Sequence, residues 1–290
     1  MLFGALEAGG TKMVCAIGNE QGEILDRISI PTETPDITMP KMAEYFAGKD
    51  ISALGIGCFG PIDLNRTSPT YGYITTTPKL PWKNYDICGY FREKLNIPVG
   101  FDTDVNGSML GEATWGCARG LDTAIYITIG TGVGVGVLAG GGLLHGMLHP
   151  EAGHILMPVR SDDTYAGKCP YHRTCLEGLA SGPAIEARWG APGRELGDRP
   201  EVWDLEAYYI AAAVTDYIMT ISPQKVILGG GVMHHDGLIE QVRAYVKDMV
   251  NGYLVTKELE DLNSYIVLPS LDDNQGIMGA LKLGMEELNR

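Results

Sequence analysis

No membrane-crossing helix, which needs roughly 20 consecutive and predominantly apolar residues, is expected in this sequence. Positive charge is scarce: 22 Lys and Arg stand against 36 Asp and Glu, for a net charge of −14. That balance opposes wide contact with a nucleic-acid backbone, although a few backbone amides suffice to hold one nucleotide. Six cysteines are too few for a disulfide scaffold. There is no basic leader before the first strand-like run, so no signal peptide is expected and the cytoplasm is the expected compartment. Two nucleotide signatures are also missing. No G-x-G-x-x-G follows the first strand, and no Walker loop G-x-x-x-x-G-K-[ST] occurs.

What is present is the composition of a globular protein, 45% hydrophobic and 20% charged, in a chain of 290 residues that can form two domains. The pattern alternates strands and helices, which indicates α/β architecture. Leu2 to Ala8 and Lys12 to Gly18 read as a hairpin turning on Gly9-Gly10-Thr11, and Glu23 to Ile30 as a further strand. A helix is expected from Pro40 to Ala47, with Pro near its start and Gly48 just past its end. Ile51 to Cys58 and Pro98 to Phe101 read as strands, and Asn84 to Leu95 and Val105 to Cys117 as helices. The theme then repeats: Thr123 to Ile129 and Val133 to Leu138 flank Gly130-Thr131-Gly132. A loop-rich stretch from Leu148 to Cys175 follows. After it come a long helix, Glu201 to Ile221, a strand, Lys225 to Leu228, and a helix, Gly237 to Asn251. A strand, Tyr265 to Leu268, and a closing helix, Gln275 to Leu288, complete the pattern. Two hairpins, each opening one half of the chain, predict a duplicated fold with a cleft between its halves.

Three glycine-rich turns follow strand-like runs: Gly9-Gly10-Thr11-Lys12, Gly130-Thr131-Gly132-Val133-Gly134 and Gly229-Gly230-Gly231. Any one of them could be a hairpin turn and nothing more. Three together, two with threonine at the tip, favour phosphate binding by backbone N–H groups and hydroxyls. Phe101-Asp102-Thr103-Asp104-Val105-Asn106 ends a strand and opens a helix, where α/β sheets present ligands. Asp104 there serves equally well as a helix cap or as a catalytic carboxylate, with Asp102 a competitor. Cys169-Pro170-Tyr171-His172-Arg173-Thr174-Cys175, with one upstream histidine, supplies two cysteines and two histidines, the set of a closed tetrahedral zinc site. The alternative, a surface loop with a reactive thiol pair, fits the pattern less well. Cys15, Cys58, Cys88 and Cys117, isolated in apolar stretches, read as small buried hydrophobes. His145 and His149 have no partner that spacing reveals.

Taken together, Glu7-Ala8-Gly9-Gly10-Thr11-Lys12, Thr128-Ile129-Gly130-Thr131-Gly132-Val133-Gly134 and Leu228-Gly229-Gly230-Gly231-Val232-Met233 resemble the ROK family of bacterial sugar kinases and repressors, and most of all its zinc-containing fructokinases. The resemblance covers essentially the whole chain. It implies an actin-like ATPase (ribonuclease H-like) fold, with two similar domains around a nucleotide cleft. Residues 1–116 would form one domain, completed by helix 275–290, and residues 117–274 the other. It implies ATP and Mg²⁺ as cofactors and a structural Zn²⁺. The phosphate and adenosine loops would be Gly9, Gly10, Thr11, Lys12, Gly130, Thr131, Gly132, Gly229, Gly230 and Gly231. Asp104 would be the general base. The zinc ligands would be His154, Cys169, His172 and Cys175, and the sugar contacts Gly60, Pro61, Thr103, Asp104, Glu151, His154 and Glu177. Glu7 stands where many members carry Asp and would reach Mg²⁺ through water. Thr103 stands where the family's glucokinases carry an Asn that contacts the sugar, which argues against strict glucose preference.

The expected activity is phosphorylation of fructose to fructose 6-phosphate, by a homodimer, with no nucleic-acid or membrane partner. A glucokinase, a mannokinase, a broad hexokinase and a non-catalytic sugar sensor are the rivals. The family's repressors carry an added helix-turn-helix that this sequence does not show. Thr76-Thr77-Pro78-Lys79 with Trp82 resembles a fructokinase segment, but Lys79 and Trp82 equally suit solvent and core edge.

Overall fold

A computed structural model describes residues 1–290. In chain order its first elements are β1 (Leu2–Ala8), β2 (Lys12–Asn19), β3 (Ile24–Pro31), α1 (Pro35–Phe46), β4 (Ile51–Cys58), β5 (Tyr73–Ile74), β6 (Tyr85–Asp86), α2 (Ile87–Leu95), β7 (Val99–Thr103) and α3 (Asp104–Thr114). There follow β8 (Ala124–Ile129), β9 (Val133–Ala139), β10 (Gly142–Leu143), α4 (Leu176–Ala180), α5 (Gly182–Trp189), α6 (Pro200–Ile221), β11 (Val226–Gly229), α7 (Leu238–Val250), α8 (Lys257–Glu260), α9 (Leu262–Tyr265), β12 (Ile266–Val267) and α10 (Gln275–Leu288). No helix is long and apolar enough to cross a membrane.

The chain divides into two compact units. One comprises Met1–Gly120, Leu143–His149 and Ser270–Arg290; the other comprises Leu121–Gly142 and Pro150–Pro269. In the first, a sheet of order β3-β2-β1-β4-β7 pairs β1 antiparallel to β2 and parallel to β4. In the second, a sheet of order β10-β9-β8-β11-β12 pairs β8 antiparallel to β9 and parallel to β11. Central strands are mostly apolar because both faces are covered, with Glu7 near the end of β1 an exception. Leu6, Met13, Ile56, Phe46 and Phe91 fill one side of the first sheet. Phe3, Ala5, Val14, Ile277 and Leu281 fill the other. Ile125, Ile127, Val135, Ile210, Val214 and Val242 belong to the second unit's core. Each of these side chains larger than alanine contributes about 1.5–3 kcal/mol by leaving water.

The rear of the first sheet is covered by α10, and glycine makes that packing possible. A Cβ on Gly55 would stand 1.8 Å from the Ala280 carbonyl oxygen, and one on Gly279 would stand 1.7 Å from that of Gly107. Backbone therefore lies directly on backbone where α10 meets β4 and α3.

Several element ends differ from expectation. Helix α1 begins at Pro35, not Pro40: Thr34 takes the extended N-cap conformation and Pro35, which has no N–H to leave unpaired, opens the first turn. Pro40 lies inside the helix. Helix α2 starts after Asp86, whose Oδ1 accepts from the Gly89 N–H at 2.7 Å, because Tyr85 and Asp86 first pair with β5. Helix α3 stops at Thr114, where the Glu112 carboxylate takes the Cys117 N–H at 2.9 Å out of the helical ladder. Cys15, Cys58 and Cys88 are buried, whereas Cys117 is only half-buried. Trp82 is core and donates its Nε1–H to the Glu33 carbonyl at 2.8 Å.

Candidate functional site

At the carboxyl edge of the first sheet, register aligns Glu7 on β1 with Gly57 on β4, and Gly57 with Asp102 on β7. The missing side chain at Gly57 matters here, since a Cβ there would touch the Asp104 Cα at 3.4 Å. Glu7 lies against the first turn of α10, where a Cβ on Gly276 would stand 2.8 Å from its carboxyl carbon. Burial first, and then the charge of Asp104, push the Glu7 carboxyl up to about 7. Burial also raises Asp104, while the Val105 N–H at 2.9 Å partly offsets it. Two half-buried carboxylates close enough for the charge of one to raise the other fit a hard cation or a shared proton better than two free negative charges.

The adjoining turn is a tight one. The Gly9 N–H donates to the Lys12 carbonyl at 3.0 Å, and Thr32 Oγ1 donates to the Gly9 carbonyl at 2.8 Å. The Lys79 side chain lies along it, with Cε 3.0 Å from where a Cβ on Gly10 would stand. That contact between residues far apart in sequence has no signal in either segment, so Lys79 stood outside the expected site.

Asp102 is buried and fully engaged. Its Oδ1 accepts from the Thr103 N–H at 2.8 Å and from Asn106 Nδ2 at 2.7 Å, and its Oδ2 pairs with His145 Nε2 at 2.7 Å. The hydrogen bond to Asp102 raises the His145 imidazolium above its ordinary value. Thr103 caps α3, its Oγ1 accepting from the Asn106 N–H at 3.1 Å. Asp104, the first helical residue, keeps Oδ2 unpartnered. On the neighbouring loop the Gly60–Pro61 peptide is cis. Pro61 O accepts from the Thr75 hydroxyl at 3.0 Å, and the next N–H, that of Ile62, donates to buried His149 at 3.2 Å. Both histidines without a sequence-level partner thus have one.

In the second unit, the Gly130 N–H donates to the Gly132 carbonyl at 2.9 Å, and the Gly182 N–H donates to the Gly130 carbonyl at 2.8 Å. Gly230 takes φ of 88°, and a Cβ there would stand 2.4 Å from the Ile129 carbonyl oxygen, so only glycine brings this loop against β8. Gly130, Thr131 and Gly231 line a cavity of about 930 Å³ with Gly182, Pro183, Trp203 and His235. The Trp203 and His235 rings stack at 3.7 Å between centroids. Gly132, Gly229 and Gly230 do not line it. Gly132 faces the Glu177 carboxylate, and Gly229 packs on Tyr126. The Ser181 cap of α5, whose Oγ accepts from the Ala184 N–H at 3.3 Å, was the overlooked sequence signal for the Gly182–Pro183 wall.

Glu177 accepts from the Val133 N–H at 3.1 Å, against the end of the second glycine turn. Glu151 is exposed and precedes the short turn Ala152–His154. That turn presses on β9, where a Cβ on Gly153 would stand 1.9 Å from the Val133 carbonyl oxygen.

His154, Cys169, His172 and Cys175 come together with all four candidate ligand atoms within 4.8 Å of one another. His154 Nδ1 is 3.5 Å from Cys175 Sγ and 3.8 Å from Cys169 Sγ, and His172 Nδ1 is 3.8 Å from Cys169 Sγ. A tetrahedral zinc with bonds of about 2.0 Å to nitrogen and 2.3 Å to sulfur needs N···S edges of about 3.5 Å. The donor set therefore fits that ion. Burial raises the Cys175 thiol to about 11, which a bound cation would reverse.

Known proteins resemble this chain over nearly its whole length. The ROK family model matches residues 3–287. A Bacillus subtilis (strain 168) relative is 51% identical over 288 residues, covering 99% of this chain and 96% of its own. The Fructokinase of Pediococcus pentosaceus is 44% identical, with 99% of each chain covered. Among solved structures, the ROK hexokinase from Thermus thermophilus superposes with a TM-score of 0.80 at 25% identity, covering 100% of this chain and 99% of its own. The fold is accordingly the α/β, actin-like one, and the chain belongs to the ROK family.

Proposed function

We propose that this protein is an ATP-dependent fructokinase that makes fructose 6-phosphate. The family match and fructokinases 40–44% identical over nearly the full chain support the activity. The observation that carries the mechanism is the difference between the two aspartates before α3. Asp102 has both oxygens engaged, whereas Asp104 keeps one free and is raised by burial. A raised carboxylate is the better proton acceptor, and general-base catalysis needs one within reach of the attacking hydroxyl.

In this reading Asp104 takes the proton of the sugar's primary hydroxyl as that oxygen bonds to the γ-phosphorus of ATP. The bond from the γ-phosphorus to the β–γ bridging oxygen breaks, and ADP leaves. The N–H groups of Gly9, Gly10, Thr11 and Lys12 and of Gly130, Thr131 and Gly132 offer donors to phosphate oxygens. Gly229, Gly230 and Gly231 form the adenosine loop, and the cavity with the stacked Trp203 and His235 has room for a nucleoside. Mg²⁺, oriented through water by Glu7, would supply charge neutralisation on the phosphates. Zn²⁺ on His154, Cys169, His172 and Cys175 would have no open position and would act as a structural cross-link. With Nδ1 toward the metal, His154 Nε2–H remains a donor for a sugar hydroxyl. Gly60, Pro61, Thr103, Glu151 and Glu177 are the other proposed sugar contacts. A cytoplasmic homodimer is the proposed state.

The test is an ADP-release assay across fructose, glucose, mannose and N-acetylated hexosamines. Fructose should give the highest kcat/KM. A preference for another hexose would move the chain to a sister activity, and ADP release with none would end the kinase reading.

A further inference from the structure

Residues Leu143–His149 belong to the first unit, whereas the chain on either side, through Gly142 and from Pro150, belongs to the second. This strap holds on with polar groups. Leu144, Met147 and Leu148 are exposed, Met147 at 98%, so apolar burial does little to fasten it. Its two histidines do the fastening instead. His149 accepts from the Ile62 N–H at 3.2 Å, beside the Gly60–Pro61 peptide. His145 Nε2 meets Asp102 Oδ2 at 2.7 Å. An ionised carboxylate only accepts, so the imidazole donates.

The second contact has a chemical consequence for the residues that follow Asp102. Its other oxygen, Oδ1, holds the Thr103 N–H and the Asn106 side chain, on either side of Asp104. Asp102 is 3% exposed, and no other side chain or backbone group bonds Oδ2. Removing the imidazole would leave a buried carboxylate oxygen without a donor, a state that side chains leave by rotating or by taking up a proton. Either response disturbs Oδ1 and with it the start of α3.

We propose that His145 is a positioning residue of the phosphoryl-acceptor site, fixing Thr103 and Asp104 through Asp102. The strap that carries it thereby belongs to the catalytic apparatus and is more than a connection between β10 and the zinc loop. The proposal rests on the kinase reading, in which Asp104 is the base.

Steady-state kinetics of H145L, H145Q, D102N and the H145L/D102N double variant test it, on whichever hexose the wild type phosphorylates best. H145L should lose about ten- to a hundredfold in kcat with ATP KM within twofold. H145Q, whose amide can place an N–H near the position of Nε2, should recover most of that loss. In the D102N background H145L should cost threefold or less, because the contact is already altered. A kcat within twofold of wild type in H145L would overturn the proposal. So would equal losses in H145L and H145Q, or full additivity in the double variant, even if melting temperatures fall. A wild type that favours another hexose sinks the fructose reading and leaves this test standing; one that phosphorylates none ends both.

Discussion

The two units share a strand plan and differ in what stands at the strand ends. In each, a central strand has an antiparallel hairpin partner on one side and a parallel strand on the other, and the hairpin turns on glycine. The first unit gathers ionisable groups at that edge: Glu7, Asp102 and Asp104. The second gathers bare backbone there, Gly130, Thr131 and Gly231, around a cavity. In the proposed function the first edge adds proton chemistry to the amides of its glycine turn, whereas the second offers amides without a neighbouring carboxylate pair. Fixed amides bind an anion with no dependence on pH, whereas carboxylates can exchange protons.

The largest test of that contrast is Asp104→Asn, which removes the base and keeps the shape. It should lower kcat by about a thousandfold, near 4 kcal/mol in barrier, with ATP KM little changed. Normal turnover would place the proton acceptor elsewhere. Next is Glu7→Gln, read in stability without divalent cations. The folded value of about 7 lies above the ordinary 4.5, so the folded state binds more protons between the two, and stability falls as pH rises through that window. The Glu7 share of the loss is at most about 3 kcal/mol, and E7Q should remove that share while leaving what the raised His145 and Asp104 contribute. Urea unfolding at pH 5 and pH 8 measures this, and a wild-type midpoint that does not fall would contradict the burial of Glu7.

In the second unit, stripping metal from the His154, Cys169, His172 and Cys175 cluster should lower the melting temperature. It should also raise fructose KM several-fold more than ATP KM. Metal-free protein, verified by elemental analysis, with unchanged fructose KM would remove the scaffold role. The smallest effect is expected for Lys79→Met: a rise in ATP KM of a few-fold, about 1 kcal/mol, if its ammonium assists the first glycine turn. No change would leave that turn to its amides alone.

The readable parts of the molecule were those fixed by short-range requirements. Hairpin strands alternate with glycine turns, and the spacing of Cys169, His172 and Cys175 is set within one loop. The start of α1 is not legible locally because Pro35 and Pro40 both suit a first turn, and the Thr34 cap position decides between them. The end of α3 is set by Glu112, which also binds Ser270 from a distant segment. His145 meets Asp102 across 43 residues of sequence and His149 meets Ile62 across 87, distances at which no periodicity speaks. The stacking of Trp203 on His235 joins a helix to a loop in the same hidden way. Local rules place groups along the chain; which of them meet is decided by packing.

Because α10 seals the rear of the first sheet, an early stretch of the chain waits for a much later one to complete its packing. Until Ser270–Arg290 leaves the ribosome, Gly55 and Gly107 face water where helix backbone belongs, and Glu7 lacks the turn that crowds it. The core of the intervening unit, Pro150–Pro269 with its hairpin, takes no residue from that segment and is complete in sequence before the first unit is.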